Sequence, residues 1–124
     1  MSTALRRIVM ERFEKKGEFL VHDGQAKERG LRSTCRNKVC FHTSSLPALL
    51  DLLFEMSRSA DCYEVKAGTN SRDGVFSGWC HFTNDASVGD AWARYAEHPK
   101  IWATVHNDDF ADTFRSRIRK YQSF

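Results

Sequence analysis

Residues 62–82 constrain the fold more tightly than any other stretch of the chain. Cys62 to Ala67 (CYEVKA) alternates, with Tyr63, Val65 and Ala67 on one side and Glu64 and Lys66 on the other. That period of two is the mark of a half-buried strand. Val75 to Phe82 (VFSGWCHF) is a short, almost unbroken apolar run and the strongest strand candidate in the sequence. The polar GTNSRDG between them, residues 68–74, has glycine at each end, so the two runs should pair as an antiparallel hairpin. A hairpin with an apolar face is not stable alone and must be covered.

Helical patterns are available to cover it. Ser44 or Ser45 can cap a helix with Pro47 in its first turn, where the missing N–H costs nothing. Its broad apolar face comprises Leu46, Leu49, Leu50, Leu53, Phe54 and Met56. Asn84 or Asp85 starts another through Glu97, carrying Val88, Ala91, Trp92 and Tyr95, with Pro99 ending it. Leu5, Ile8, Val9 and Phe13 recur at helical spacing, and Gly17 reads as the stop of a first helix. Asn107 or Asp108 opens a last helix with Phe110, Phe114, Ile118 and Tyr121 on one side, its acids first and its bases last, as the helix dipole favours. Further short strands are expected at Glu18–His22, Val39–Thr43 and Ile101–Val105. The sum is one α+β domain over residues 1–124, a largely antiparallel sheet of about five short strands with about four helices. The expected core is Leu49, Leu50, Leu53, Val65, Phe76, Trp79, Phe82, Trp92, Trp102, Phe114 and Ile118.

Length permits such a core without metal or disulfide staples. No run approaches the ~18 apolar residues of a membrane span, and MSTALRRIVMERF lacks the apolar run and cleavage site of a signal peptide. The expectation is a soluble, cytoplasmic protein.

The formal net charge is only +3, but it is unevenly placed: residues 1–60 hold eleven Lys/Arg against seven Asp/Glu, and residues 61–124 hold eight against nine. The excess comes from Gly24 to Lys38 (GQAKERGLRSTCRNK), which carries Lys27, Arg29, Arg32, Arg36 and Lys38 against Glu28, with Leu31 its only large aliphatic residue. Such a segment cannot bury itself and is expected as a solvated loop or a loosely attached helical turn. A basic loop is often just an exposed face, and it is also what an acidic partner would meet. Arg72 in the hairpin loop, and Arg115, Arg119 and Lys120 at the end of the last helix, are the other candidate contacts. Exposed aromatics can stack on unpaired bases, and Trp79, Trp102 and Phe124 are the candidates, although the two tryptophans sit in strands that read as core.

Enzyme chemistry finds less support. No Gly-rich phosphate loop, G-x-S-x-G elbow or H-E-x-x-H is present. His22, His42 and His106 lie at the ends of strands, and His42 with His106 could serve as an acid–base pair for phosphodiester cleavage if brought together. Cys35, Cys40, Cys62 and Cys80 have no C-x2-C spacing, so reduced structural thiols are expected in place of a zinc site built from Cys35, Cys40, His42 and Cys80–His81. No catalytic residue, metal or cofactor is assigned. The expected function is non-enzymatic binding of an acidic macromolecule, nucleic acid or a protein–nucleic-acid assembly. The alternative is a small inhibitor that sterically blocks a protein partner, such as a host defence or DNA-processing complex.

Overall fold

The computed structural model describes residues 12–33, 37–95 and 97–105. Among them are six strands, β1 (Glu14–Lys16), β2 (Phe19–Asp23), β3 (Lys38–Thr43), β4 (Cys62–Gly68), β5 (Phe76–Phe82) and β6 (Trp102–Val105). Three helices accompany them, α1 (Gln25–Glu28), α2 (Leu46–Ser57) and α3 (Asp85–Tyr95). The strands form a single sheet in the order β1-β2-β4-β5-β3-β6, every neighbouring pair antiparallel. The fold is therefore α+β with an antiparallel sheet, one strand richer than expected. The expected last helix, from Asn107 or Asp108, lies outside the described residues, as does most of the first.

From β3 onward the chain runs β-α-β-β-α-β, the split βαβ arrangement. Helix α2 carries the chain from β3 over to β4 with β5 between them, and α3 carries it from β5 to β6 with β3 between them. The β4–β5 hairpin is present as predicted. It closes through Asp73 and Gly74, both left-handed (φ 53° and 78°), with Arg72 and Val75 exchanging backbone hydrogen bonds of 2.8 and 3.0 Å. The caps are those that the sequence implies: Ser45 Oγ accepts the Ala48 N–H at 3.3 Å, and Asn84 Oδ1 accepts that of Ser87 at 2.9 Å.

Both long helices pack on one face of the sheet. Leu49, Leu50, Leu53 and Met56 of α2 and Val88 and Ala91 of α3 meet Leu20, Val39, Phe41, Val65, Ala67, Cys80, Phe82 and Ala103 in one buried cluster. Gly78 lets α2 approach: a Cβ there would lie 2.7 Å from Leu53 Cδ1 and 2.8 Å from the Lys66 carbonyl oxygen.

Three expectations need correction. The end of the presumed first helix is a strand, because Glu14–Lys16 pairs with β2 in the register Glu14↔Val21, Lys15↔Leu20, Lys16↔Phe19. Gly17, at φ 62°, is the first residue of a two-residue hairpin turn and not a helix stop; the left-handed conformation serves either purpose. Trp92 is 43% exposed, since Val88, Ala91 and Tyr95 turn α3 toward the core and leave its neighbour outside. Trp79 is only half-buried and is not part of the cluster, because it points to the face away from α2 and α3. Phe114 and Ile118 lie outside the described residues.

Candidate nucleic-acid interface

The basic segment is better anchored than a free loop. It joins the end of β2 to the start of β3, which stand three strand spacings apart, about 14 Å. To span that gap it crosses the end of the sheet where β4 begins and β5 finishes. Gly24 N–H donates to the Tyr63 carbonyl at 2.8 Å, and Phe82 N–H donates to the Asn37 carbonyl at 2.7 Å. Ala26 of α1 is fully buried, and the turn closes with Leu31 N–H on the Ala26 carbonyl at 2.8 Å.

The cations of this segment fall into two groups. Lys27 Nζ lies 2.9 Å from Asp23 Oδ1 and 3.5 Å from Glu64 Oε2. The Asp23 hydrogen bond is the main reason that its ammonium is held above the ordinary lysine pKa. Arg29, Arg32 and Lys38 have no carboxylate partner among the described residues. Arg29 and Arg32 are exposed, and among the described residues the only side-chain hydrogen bond of either is a long one from Arg29 Nη1 to the Ala60 carbonyl, 3.4 Å. Lys38 Nζ sits 5.4 Å from the centre of the Trp79 ring, a cation–π distance. Arg72 is exposed at the hairpin tip, at the opposite end of the sheet, so the fold does not bring it to this group. Arg36, Arg115, Arg119 and Lys120 lie outside the described residues, as do Cys35, His106 and Phe124.

The face of the sheet turned away from α2 and α3 has two halves. On β3 and β6 it is buried: Cys40, His42, Trp102 and Thr104 are all less than a tenth exposed. His42 Nδ1 pairs with Ser77 Oγ at 2.8 Å and Nε2 with Thr104 Oγ1 at 3.4 Å, and the ring packs 4.8 Å from that of Trp102. Burial pushes its pKa down to about 4, so the imidazole is neutral at physiological pH. On the helix-covered face His22 packs between Phe13 and Phe54, and His98 Nδ1 accepts the Lys100 and Ile101 N–H groups. Cys40 and Cys80 are free thiols on opposite faces of the sheet, as the Cys40↔Trp79 and Val39↔Cys80 pairings require, so Cys40, His42 and Cys80 do not converge on one point.

On β1, β2, β4 and β5 the same face is half open. Phe19 is 39% exposed and meets Trp79 edge to face, ring centres 5.4 Å apart. Lys16 stands opposite Phe19 in the ladder, and Lys66 opposite Trp79. Glu64, His81 and Lys38 follow in the next row, Glu64 paired with His81 and His81 with Lys38. Burial and the neighbouring Lys38 lower the His81 pKa, and its buried Nε2 has no hydrogen-bond partner among the described residues. Sequence reasoning counted Lys16 among the bases of the expected first helix, and missed Phe19 and Lys66. Alternation along CYEVKA puts Lys66 on the polar side, but only the pairing of β2 with β4 brings Phe19 within reach of Trp79.

No protein family model matches this chain, and no curated protein shows significant similarity to it. No helix among the described residues is long and apolar enough to cross a membrane.

Proposed function

We propose that this chain is a non-enzymatic binding protein that meets nucleic acid, alone or within a protein–nucleic-acid assembly, through the basic crossover between β2 and β3. One observation carries this reading. Arg29, Arg32 and Lys38 lie along one end of the sheet with no carboxylate among the described residues to neutralise them, whereas Lys27 beside them is paired twice. Unpaired cations on an anchored backbone suit phosphate, because the charge is available and its placement needs little ordering on binding.

The test is a salt titration of binding to a labelled oligonucleotide. Each phosphate contact should add roughly 0.7–0.9 to the slope of log affinity against log salt. Joint replacement Arg29→Ala, Arg32→Ala and Lys38→Ala is expected to weaken binding and flatten that slope by two to three contacts' worth. Unchanged affinity and slope would remove the basis of the reading. Capture of a protein partner that survives nuclease treatment at fixed stoichiometry would instead support a steric inhibitor acting through the same surface.

A further inference from the structure

Trp79 adjoins the basic crossover at Lys38 and faces away from α2 and α3. Its ring meets Phe19 edge to face and also lies under Lys38 Nζ. Each of the two rings also has a lysine directly opposite on the neighbouring strand, Lys16 for Phe19 and Lys66 for Trp79. Lys16 reaches Glu14 only at 3.6 Å, whereas Lys66 pairs with Glu64 Oε1 at 3.2 Å, a partly exposed contact that a phosphate would have to displace. Lys38 has no acidic partner among the described residues. Aromatic surface interleaved with ammonium groups recognises unpaired bases joined by phosphates. The rings offer π-faces to bases of any sequence, and the lysines follow the backbone. A duplex keeps its bases stacked internally and presents no free base face to such a surface.

We infer that the Phe19–Trp79 pair is a stacking platform for single-stranded nucleic acid, with Lys16, Lys38 and Lys66 as its phosphate contacts. The inference rests on the nucleic-acid reading above and narrows it to unpaired strands. Lys38 joins the two regions, since it ends the basic crossover and caps the Trp79 ring. Its ammonium occupies the position over the indole that a base would take. Strand binding moves it off the ring and onto a phosphate, a change that its flexible four-carbon stem permits. The acids of this face do not block the platform. Glu14 stands opposite Val21, and Asp23 and Glu64 lie one row toward α1, where Lys27 holds Asp23 and shares Glu64 with Lys66.

The experiment uses the whole chain with a fluorescein-labelled deoxythymidine dodecamer, a uridine dodecamer, and a mixed-sequence DNA duplex of equal length. Either single strand should bind more tightly than the duplex and quench tryptophan emission, and the two dodecamers together decide between DNA and RNA. Phe19→Ala and Trp79→Ala should each weaken single-strand binding about tenfold or more, with the quench lost in Trp79→Ala. Trp92→Ala, on the helical side of the sheet, should leave affinity unchanged. Lys66→Gln replaces a partly exposed side chain and does not threaten the fold; it should lower the salt slope by about 0.7. If Arg29→Ala with Arg32→Ala weakens binding while Phe19→Ala, Trp79→Ala and Lys66→Gln do not, the platform is wrong and the basic crossover remains the contact. Preference for the duplex would also overturn the platform alone. No binding to any of the three probes at low salt would overturn both.

Discussion

Strand β5 belongs to two environments at once. Gly78, Cys80 and Phe82 are buried beneath α2 and α3, while Ser77, Trp79 and His81, interleaved with them, are only half-buried on the other side. Volume decides the first face, where Gly78 exists because Leu53 needs its space. Charge and partial exposure decide the second, where lysines stand opposite the open rings. A residue's tolerance to change should follow its face more closely than its hydrophobicity, and that contrast can be broken by measurement.

The largest effect is expected under the helices. Leu53 is fully buried, so Leu53→Ala should lower stability by about 2–5 kcal/mol. Lys66→Ala, on the strand beneath but on the opposite side, removes only a partly exposed ion pair with Glu64 and should cost up to about 1 kcal/mol. Urea denaturation of the two variants compares the faces directly, and similar losses would end the distinction.

The buried half of the second face makes a pH-dependent contribution. His42 has a folded pKa of about 4 against an ordinary 6.5, so the unfolded chain binds a proton before the folded chain does. Stability from this residue is complete above pH 6.5 and is lost as pH falls toward 4, by on the order of 3 kcal/mol at ~1.4 kcal/mol per pKa unit. Thermal melts between pH 7.5 and 4 should show this loss, with a shallower dependence in His42→Asn. Equal slopes in the two proteins would mean that the imidazole is not held neutral by burial.

Gly78→Ala tests the close approach itself. The added methyl meets Leu53 Cδ1 and the Lys66 carbonyl, and overpacking of this kind costs about 1–3 kcal/mol. Combined with Leu53→Ala, the loss should be smaller than the sum of the two, because the truncated side chain vacates part of the space. Strict additivity would place the glycine's role elsewhere.

The helix-covered face was largely legible in the sequence. Leu49, Leu50 and Leu53 are spaced for a helix, Val65 lies on the apolar side of an alternating strand, and the caps at Ser45 and Asn84 are local signals. The open face was not. VFSGWCHF is apolar on both parities, so nothing in the run says whether Trp79 or its neighbours point inward; Gly78 decides it only once α2 is known to sit above. The pairing of β2 with β4 places Phe19 beside Trp79, and it joins residues nearly fifty apart by a register that local pattern does not carry. The charge of the basic segment was legible, but its anchoring through Gly24 and Asn37 was not, because both contacts are made by backbone groups. The hairpin at Gly17 shows the same limit at short range.

The smallest effect is expected within that segment, where the contrast between committed and available side chains recurs on adjacent turns. Lys27 is tied to Asp23 and Glu64, and Lys27→Ala should cost up to about 1 kcal/mol, as partly exposed ion pairs do. Arg29 and Arg32 pair with no acid among the described residues and are exposed, so Arg29→Ala with Arg32→Ala should leave the thermal midpoint nearly unchanged, each within about 0.5 kcal/mol. Added salt should narrow the gap between Lys27→Ala and the parent protein by screening the pair, while the double arginine variant should respond to salt as the parent does. Measured midpoints that fall in this order assign Lys27 to the fold and leave Arg29 and Arg32 for a partner. If the double variant is the less stable of the two, the arginines hold the crossover in place and their charge is spent on the protein itself.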